Sequence, residues 1–170
     1  MPERLSAITL QQPWASAMLA GVKPWENRTW APRRLRREPV EPLWVALHAG
    51  AQVDKGLSRP ERGYRFGRGW ALLREAWPEC PGGASYAWPR GFLGLVQFDG
   101  VQPFEEGQDC FTSPWAGGPW CWRVGLVLPL PEPIPAQGAQ GLWPVPEPLV
   151  EPFRDLYRAH VRAQRAAESR

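Results

Sequence analysis

Twenty-one prolines and seventeen glycines in 170 residues limit this chain more than any other feature of its sequence. Proline has no amide donor and clashes with the preceding turn inside a helix, and glycine there costs about 1 kcal/mol relative to alanine. A helical bundle is excluded, and short elements joined by many turns are expected. Five β-prone runs are bounded by Gly, Pro or charged residues: LSAITL (5–10), KPWENRTW (23–30), LWVALHAG (43–50), GFLGLVQFDGV (91–101) and CWRVGLVLPL (121–130). Helices are fewer. PWASAMLA (13–20) has Pro13 where a first turn tolerates it and Gly21 where a left-handed terminator is wanted, and GRGWALLREAW (67–77) stops at Pro78. From about 148 to 167, Leu149, Phe153, Leu156, Tyr157 and His160 recur at threes and fours, which predicts an amphipathic C-terminal helix. The Pro-rich stretch at about 129–148 retains Ile134, Leu142, Trp143 and Val145 and reads as an extended wrap over the core. The expectation is one α+β domain over 1–170, a small, partly open mixed β-barrel with two or three flanking α-helices.

At 44% hydrophobic residues the chain can furnish a core. It has no apolar run of membrane-spanning length and its first residues have no long apolar stretch, so a cytoplasmic protein without membrane partners is expected. Cys80, Cys110 and Cys121 show no CxxC pairing, and the only histidines are His48 and His160. No metal, cofactor or disulfide framework is predicted. The net charge of +3 is unevenly spread. Residues 1–37 carry seven Lys/Arg against two Glu and residues 59–74 five Arg against one Glu, whereas 75–157 carry three Arg against ten Asp/Glu. If the first two blocks share a face, that face attracts phosphates; otherwise they are solvated loops.

The segment VKPWENRTW raises the main question of chemistry. Strand alternation puts Glu26, Arg28 and Trp30 on one face and Trp25, Asn27 and Thr29 on the other, close enough for Glu26 and Arg28 to pair. The plain readings are an edge-strand ion pair and, for Lys23, a cation placed beyond a helix C-terminus by the helix dipole. Gln11 and Gln12 before the helix, Trp14 opening it, and Trp25 and Trp30 beside the charges argue for more. Flat rings stack on bases and amides read their edges, so a nucleobase pocket is the functional expectation. His48 ends a strand and reads as a buried scaffold residue ahead of a catalytic one, while staying among the ligand-site candidates.

QPWA, GVKPWENRTW, ALHAG, GFLGLVQF, the tryptophan-rich SPWAGGPWCWRV and a late GLW resemble, in that order, the ASCH domain of the PUA-like superfamily, related to EVE and YTH domains. The likeness runs from about residue 6 to 145. It implies a small β-barrel with a cleft beside the first helix, and binding of RNA, DNA or a nucleobase, including a modified one. In the motif positions, Lys23 matches the cleft lysine, Glu26 and Arg28 the ENR element, and Gln12, Pro13 and Trp14 the QPW element. Trp115, Trp120 and Trp122 fall in the tract that the likeness turns toward the cleft, and one of them is expected to be a stacking platform. Gln12 and Glu26 would read the base, with Lys23, Arg33, Arg34, Arg36 and Arg37 on phosphates. Some relatives resemble amidohydrolases of N4-acetylcytidine, in which a cleft lysine activates a threonine three residues on. Here that position holds Glu26, and Thr29, six residues on, lies about 20 Å along an extended strand. A hydrolase with Lys23 and Glu26 as catalytic candidates is the alternative. Metal-independent ribonuclease chemistry ranks below it, and a protein-interaction module built on exposed apolar surface at 129–148 is a third class.

Overall fold

The computed structural model describes residues 4–54, 69–81 and 88–169, so the second basic block, apart from its last few residues, lies outside the described residues. The strands are β1 (Ser6–Gln12), β2 (Trp25–Arg28), β3 (Leu43–Val53), β4 (Gly91–Pro103), β5 (Trp120–Ile134) and β6 (Leu142–Pro144). The helices are α1 (Trp14–Leu19), α2 (Gly69–Ala76) and α3 (Glu151–Glu168), with short 3-10 turns at Arg33–Arg36, Asp109–Thr112 and Glu147–Leu149. All five expected strands and all three expected helices form, and β6 is an addition. It arises inside the Pro-rich wrap, where Leu142, Trp143 and Pro144 pair antiparallel with Ile8, Ala7 and Ser6.

The six strands form one mixed sheet in the order β2-β5-β4-β3-β1-β6, with β1 and β3 parallel and the other pairs antiparallel. Hydrogen bonding does not close it into a barrel. β5 outlasts its outer neighbour: β2 pairs only with Trp120–Arg123, and beyond that point β5 has β4 on one side and no strand on the other among the described residues.

Strand alternation gives the sheet two apolar faces. Ile8, Leu10, Val45, Leu47, Val96, Phe98 and Trp122 point to one side and are covered by Ala15 and Met18 of α1 and by Leu35. Ala7, Ala46, Phe92 and Leu95 point to the other, beneath Val145, Val150 and Phe153 of the wrap and α3. The third cluster, at one end, joins Ala17, Trp25, Leu73, Trp88, Cys110, Trp115 and Cys121. Ile134, Trp143 and Val145 pack into the second core and Leu142 against the first, so the larger apolar side chains of the wrap turn inward while its prolines at 129, 131, 133, 135, 144, 146 and 148 stay exposed.

Candidate functional site

The N-terminal cluster begins with Gln12, whose side chain is 1% exposed and bonded at both ends. Its Oε1 accepts from the Ser16 amide at 3.1 Å, satisfying one of the free donors of the first turn of α1, and its Nε2 donates to the Pro89 carbonyl at 2.7 Å. The amide expected to read a base therefore ties α1 to the segment leading into β4. After α1, Gly21 takes φ +74°, the left-handed conformation that lets the chain reverse, and the Val22 and Lys23 amides both return to the Ala17 carbonyl. That reversal carries Lys23 under the helix and into β2.

Lys23 and Glu26 are both buried, at 4% and 6% exposure, and their charges meet at 2.7 Å between Nζ and Oε2. The same ammonium donates to the Trp25 carbonyl. Arg28 brings its Nε to 2.9 Å from Glu26 Oε1, without the alignment of a true hydrogen bond, and its Nη2 donates to the Thr9 carbonyl at 3.1 Å. Glu26 is thus held between two cations, and the cluster carries one excess positive charge. The last contact also measures the sheet. β2 and β1 are four steps apart in strand order, about 19 Å in a flat sheet, far beyond an arginine's reach. The sheet must curl until its two ends approach across α1, and Arg28 spans the gap. β6 stops pairing at Ile8, and the next carbonyl of β1 is the one the guanidinium takes.

Of the expected aromatic ligands, Trp122 is fully enclosed, with its Nε1 donating to the Trp30 carbonyl at 3.0 Å and its ring edge-on to Trp30 and Phe98. It presents no ring face to a ligand. Trp115, 5% exposed, meets Trp14 edge-on at 6.3 Å, and Trp14 donates to Asp54 at 2.7 Å. These rings hold one end of the domain together. Asn27, on the opposite face of β2 from Glu26, donates to the Trp115 carbonyl and accepts from the Gly117 and Gly118 amides. It organises the loop before β5, a role that the ENR triplet signals only once β2 is known to lie beside that loop.

His48 is also enclosed, 2% exposed, with its ring Nε2 at 3.1 Å from the Ala136 carbonyl and its rim against Phe92 and Trp143. Its Nδ1 is buried without a partner. Burial lowers its pKa, and the bond to Ala136 only partly offsets that. Burial and the neighbouring Cys121 push the Cys110 thiol up to about 12, leaving it an inert core group. Among the described residues no group of His, Cys, Asp or Glu could hold a metal, and no helix is long and apolar enough to cross a membrane.

The arginine-rich stretch is arranged differently. Leu35, 2% exposed, anchors the 3-10 turn in the core and leaves Arg33, Arg34, Arg36 and Arg37 outside. Among the described residues only Arg34 of the four has a carboxylate partner, Glu41 at 3.3 Å. Arg36 lies over the Trp120 ring, 5.9 Å from its centroid, in the range of a cation–π contact. Trp120 is half-buried and walls a groove of about 420 Å3, lined also by Val40, Val101, Glu38 and Arg123. Trp25 lies at the back of this groove while its carbonyl holds the Lys23 ammonium, so the two polar regions share a residue.

As chemistry, the buried cluster favours architecture over turnover. Both Glu26 oxygens face cations, and the position three after Lys23 carries no hydroxyl. A general base must lie within hydrogen-bonding reach of the proton it takes, and Glu26, 6% exposed and flanked by two cations, is shut away from an incoming substrate. No family model and no curated protein matches this chain, so the ASCH likeness rests on its motifs alone.

Proposed function

We infer that the chain is a nucleic-acid-binding module of the PUA-like kind, with the exposed Arg33–Arg37 stretch as its phosphate-contacting surface. The observation that carries this reading is the set of three arginines, Arg33, Arg36 and Arg37, held outward beside an aromatic groove with no carboxylate partner among the described residues. Unpaired cations on a fixed turn are free to displace counterions from a phosphate backbone. The ASCH-like order of motifs and a sheet curled nearly upon itself support the same reading. Lys23, Glu26 and Arg28 then act beneath the surface, fixing β2 against β1 and so the wall from which Trp120 projects.

The test is fluorescence anisotropy of labelled single-stranded RNA, single-stranded DNA and duplex DNA at several salt concentrations. Binding should weaken steeply with salt. The Arg33→Ala/Arg37→Ala double variant should flatten the log–log slope by about 0.7 per lost contact on a single strand. No binding to any of the three, or an unchanged slope in the variant, overturns the assignment.

A further inference from the structure

The groove beside Trp120 and the strip beside it differ in charge. Within the groove, Arg36 and Arg123 are matched by Glu38 and Asp99, and Arg123 already donates to Asp99 at 2.7 Å. The lining is neutral, with Val40, Val101 and the indole as apolar walls. Outside it, Arg33 and Arg37 have no carboxylate partner among the described residues. A phosphate would gain nothing inside a neutral groove with two carboxylates, whereas a flat neutral ring carried on a phosphate chain fits both halves. The volume, about 420 Å3, falls within the range of small-molecule sites.

We propose that this groove takes one unpaired nucleobase of a single strand, stacked on Trp120, while the flanking phosphates follow Arg33 and Arg37. The assignment rests on the nucleic-acid reading above and adds to it a specific site. Stacked aromatic layers repeat at about 3.4 Å, so a base between the indole and the Arg36 guanidinium needs about 6.8 Å. The present separation is 5.9 Å, and Arg36 is exposed and bound to no carboxylate among the described residues, so a shift of about 1 Å opens the sandwich. Glu38, exposed and without a basic partner among the described residues, is placed to accept from a base N–H. In a duplex the faces of each base are covered by its neighbours, which excludes paired strands from the groove.

The experiment compares a short single strand, the same strand with abasic positions throughout, and its annealed duplex, each titrated at two salt concentrations against the unaltered protein, Trp120→Ala and Trp120→Phe. Stacking on one aromatic ring corresponds to a roughly five- to 150-fold difference in affinity. Trp120→Ala should lose that factor on the normal strand with its salt slope intact, and Trp120→Phe should retain most of the binding. The unaltered protein should lose a similar factor on the abasic strand, a comparison that needs no variant to fold, and Trp120→Ala should no longer distinguish the two strands. Salt-dependent binding that ignores both the missing bases and the missing indole overturns the pocket and leaves the nucleic-acid module standing. Sensitivity to only one of the two also overturns it, since the base is then held elsewhere or the indole is only structural. No binding to any oligonucleotide overturns both.

Discussion

Substituting Glu26 by glutamine keeps the shape of the side chain and removes the charge between Lys23 and Arg28. In the folded protein this leaves an ammonium at 5% side-chain exposure and a guanidinium at 19% without their shared counterion. Breaking one partner out of a buried ion pair costs about 3–5 kcal/mol, because the remaining charge stays desolvated and uncompensated. The partial exposure of Arg28 lets water relieve some of that, so the lower half of the range, about 3–4 kcal/mol, is expected. Domains of this length have about 5–15 kcal/mol in total, so the loss is a large fraction. Urea denaturation followed by circular dichroism should show the midpoint falling with the slope unchanged. The thermal midpoint should drop by about 6–16 °C at 2–4 °C per kcal/mol. A companion variant, Lys23→Met/Glu26→Gln, removes one of the stranded cations and should recover part of the loss, which a double-mutant cycle reads directly. A loss below about 1 kcal/mol, the value of an exposed pair, would refute the view of Glu26 as a buried keystone and return it to the surface as a group open to ligands.

Three further outcomes follow from the same geometry. Gln12→Ala removes a side chain bonded at both ends and leaves the Ser16 amide and the Pro89 carbonyl without it; a loss of about 1–3 kcal/mol in denaturant titration is expected, and none would show that water replaces both bonds. A Cβ at Gly138 would lie 2.5 Å from His48 Cε1 and 2.8 Å from Thr9 Oγ1, so Gly138→Ala should destabilise by about 1–3 kcal/mol through overpacking, and a neutral result would mean that the wrap moves aside freely. Because the folded-state pKa of His48 lies below its usual 6.5, the unfolded chain binds the proton first as pH falls. Stability should therefore be lost on acidification through and below about pH 6.5, and His48→Gln should abolish that part of the pH profile while the carboxylate part persists.

The sequence made the scaffold legible because its punctuation is strong. Pro13, Gly21 and Pro78 bound the first two helices where their chemistry requires, and the β-prone runs fall between turn residues. What escaped depended on partners distant in sequence. β6 is three residues long and exists only because Ser6–Ile8 offers it an edge, a pairing across about 135 positions that local propensity cannot register. In the cluster, alternation foretold that Glu26 and Arg28 share a face, and they do meet. Their burial was not foreseeable, since it comes from α1 folding back over them and from the curl that brings Thr9 within reach of Arg28. Gln12 read as a base-reading amide because a polar side chain beside a helix start has no visible employment until Ser16 and Pro89 are placed around it. Register separates the two tryptophans of the WCW tract: Trp122 opposes Glu26 and points into the core, while Trp120 opposes Arg28 at the rim.

Among the described residues no strand pairs with the outer side of β5 past Arg123, and an open strand edge is the kind of surface on which a second chain can add itself and begin an aggregate. Along that stretch the sequence runs Pro129, Pro131 and Pro133 at every other position, and each removes a donor that an incoming strand would need. The terminal strands of the sheet are only four and three residues long; β2 carries Glu26 and Arg28, and β6 ends in Pro144. Four of the prolines that rule out a helical bundle, Pro129, Pro131, Pro133 and Pro144, thus also lie along strand edges of an unclosed sheet, and replacing Pro131 and Pro133 with valine should leave the fold intact while making the protein prone to self-assembly at high concentration.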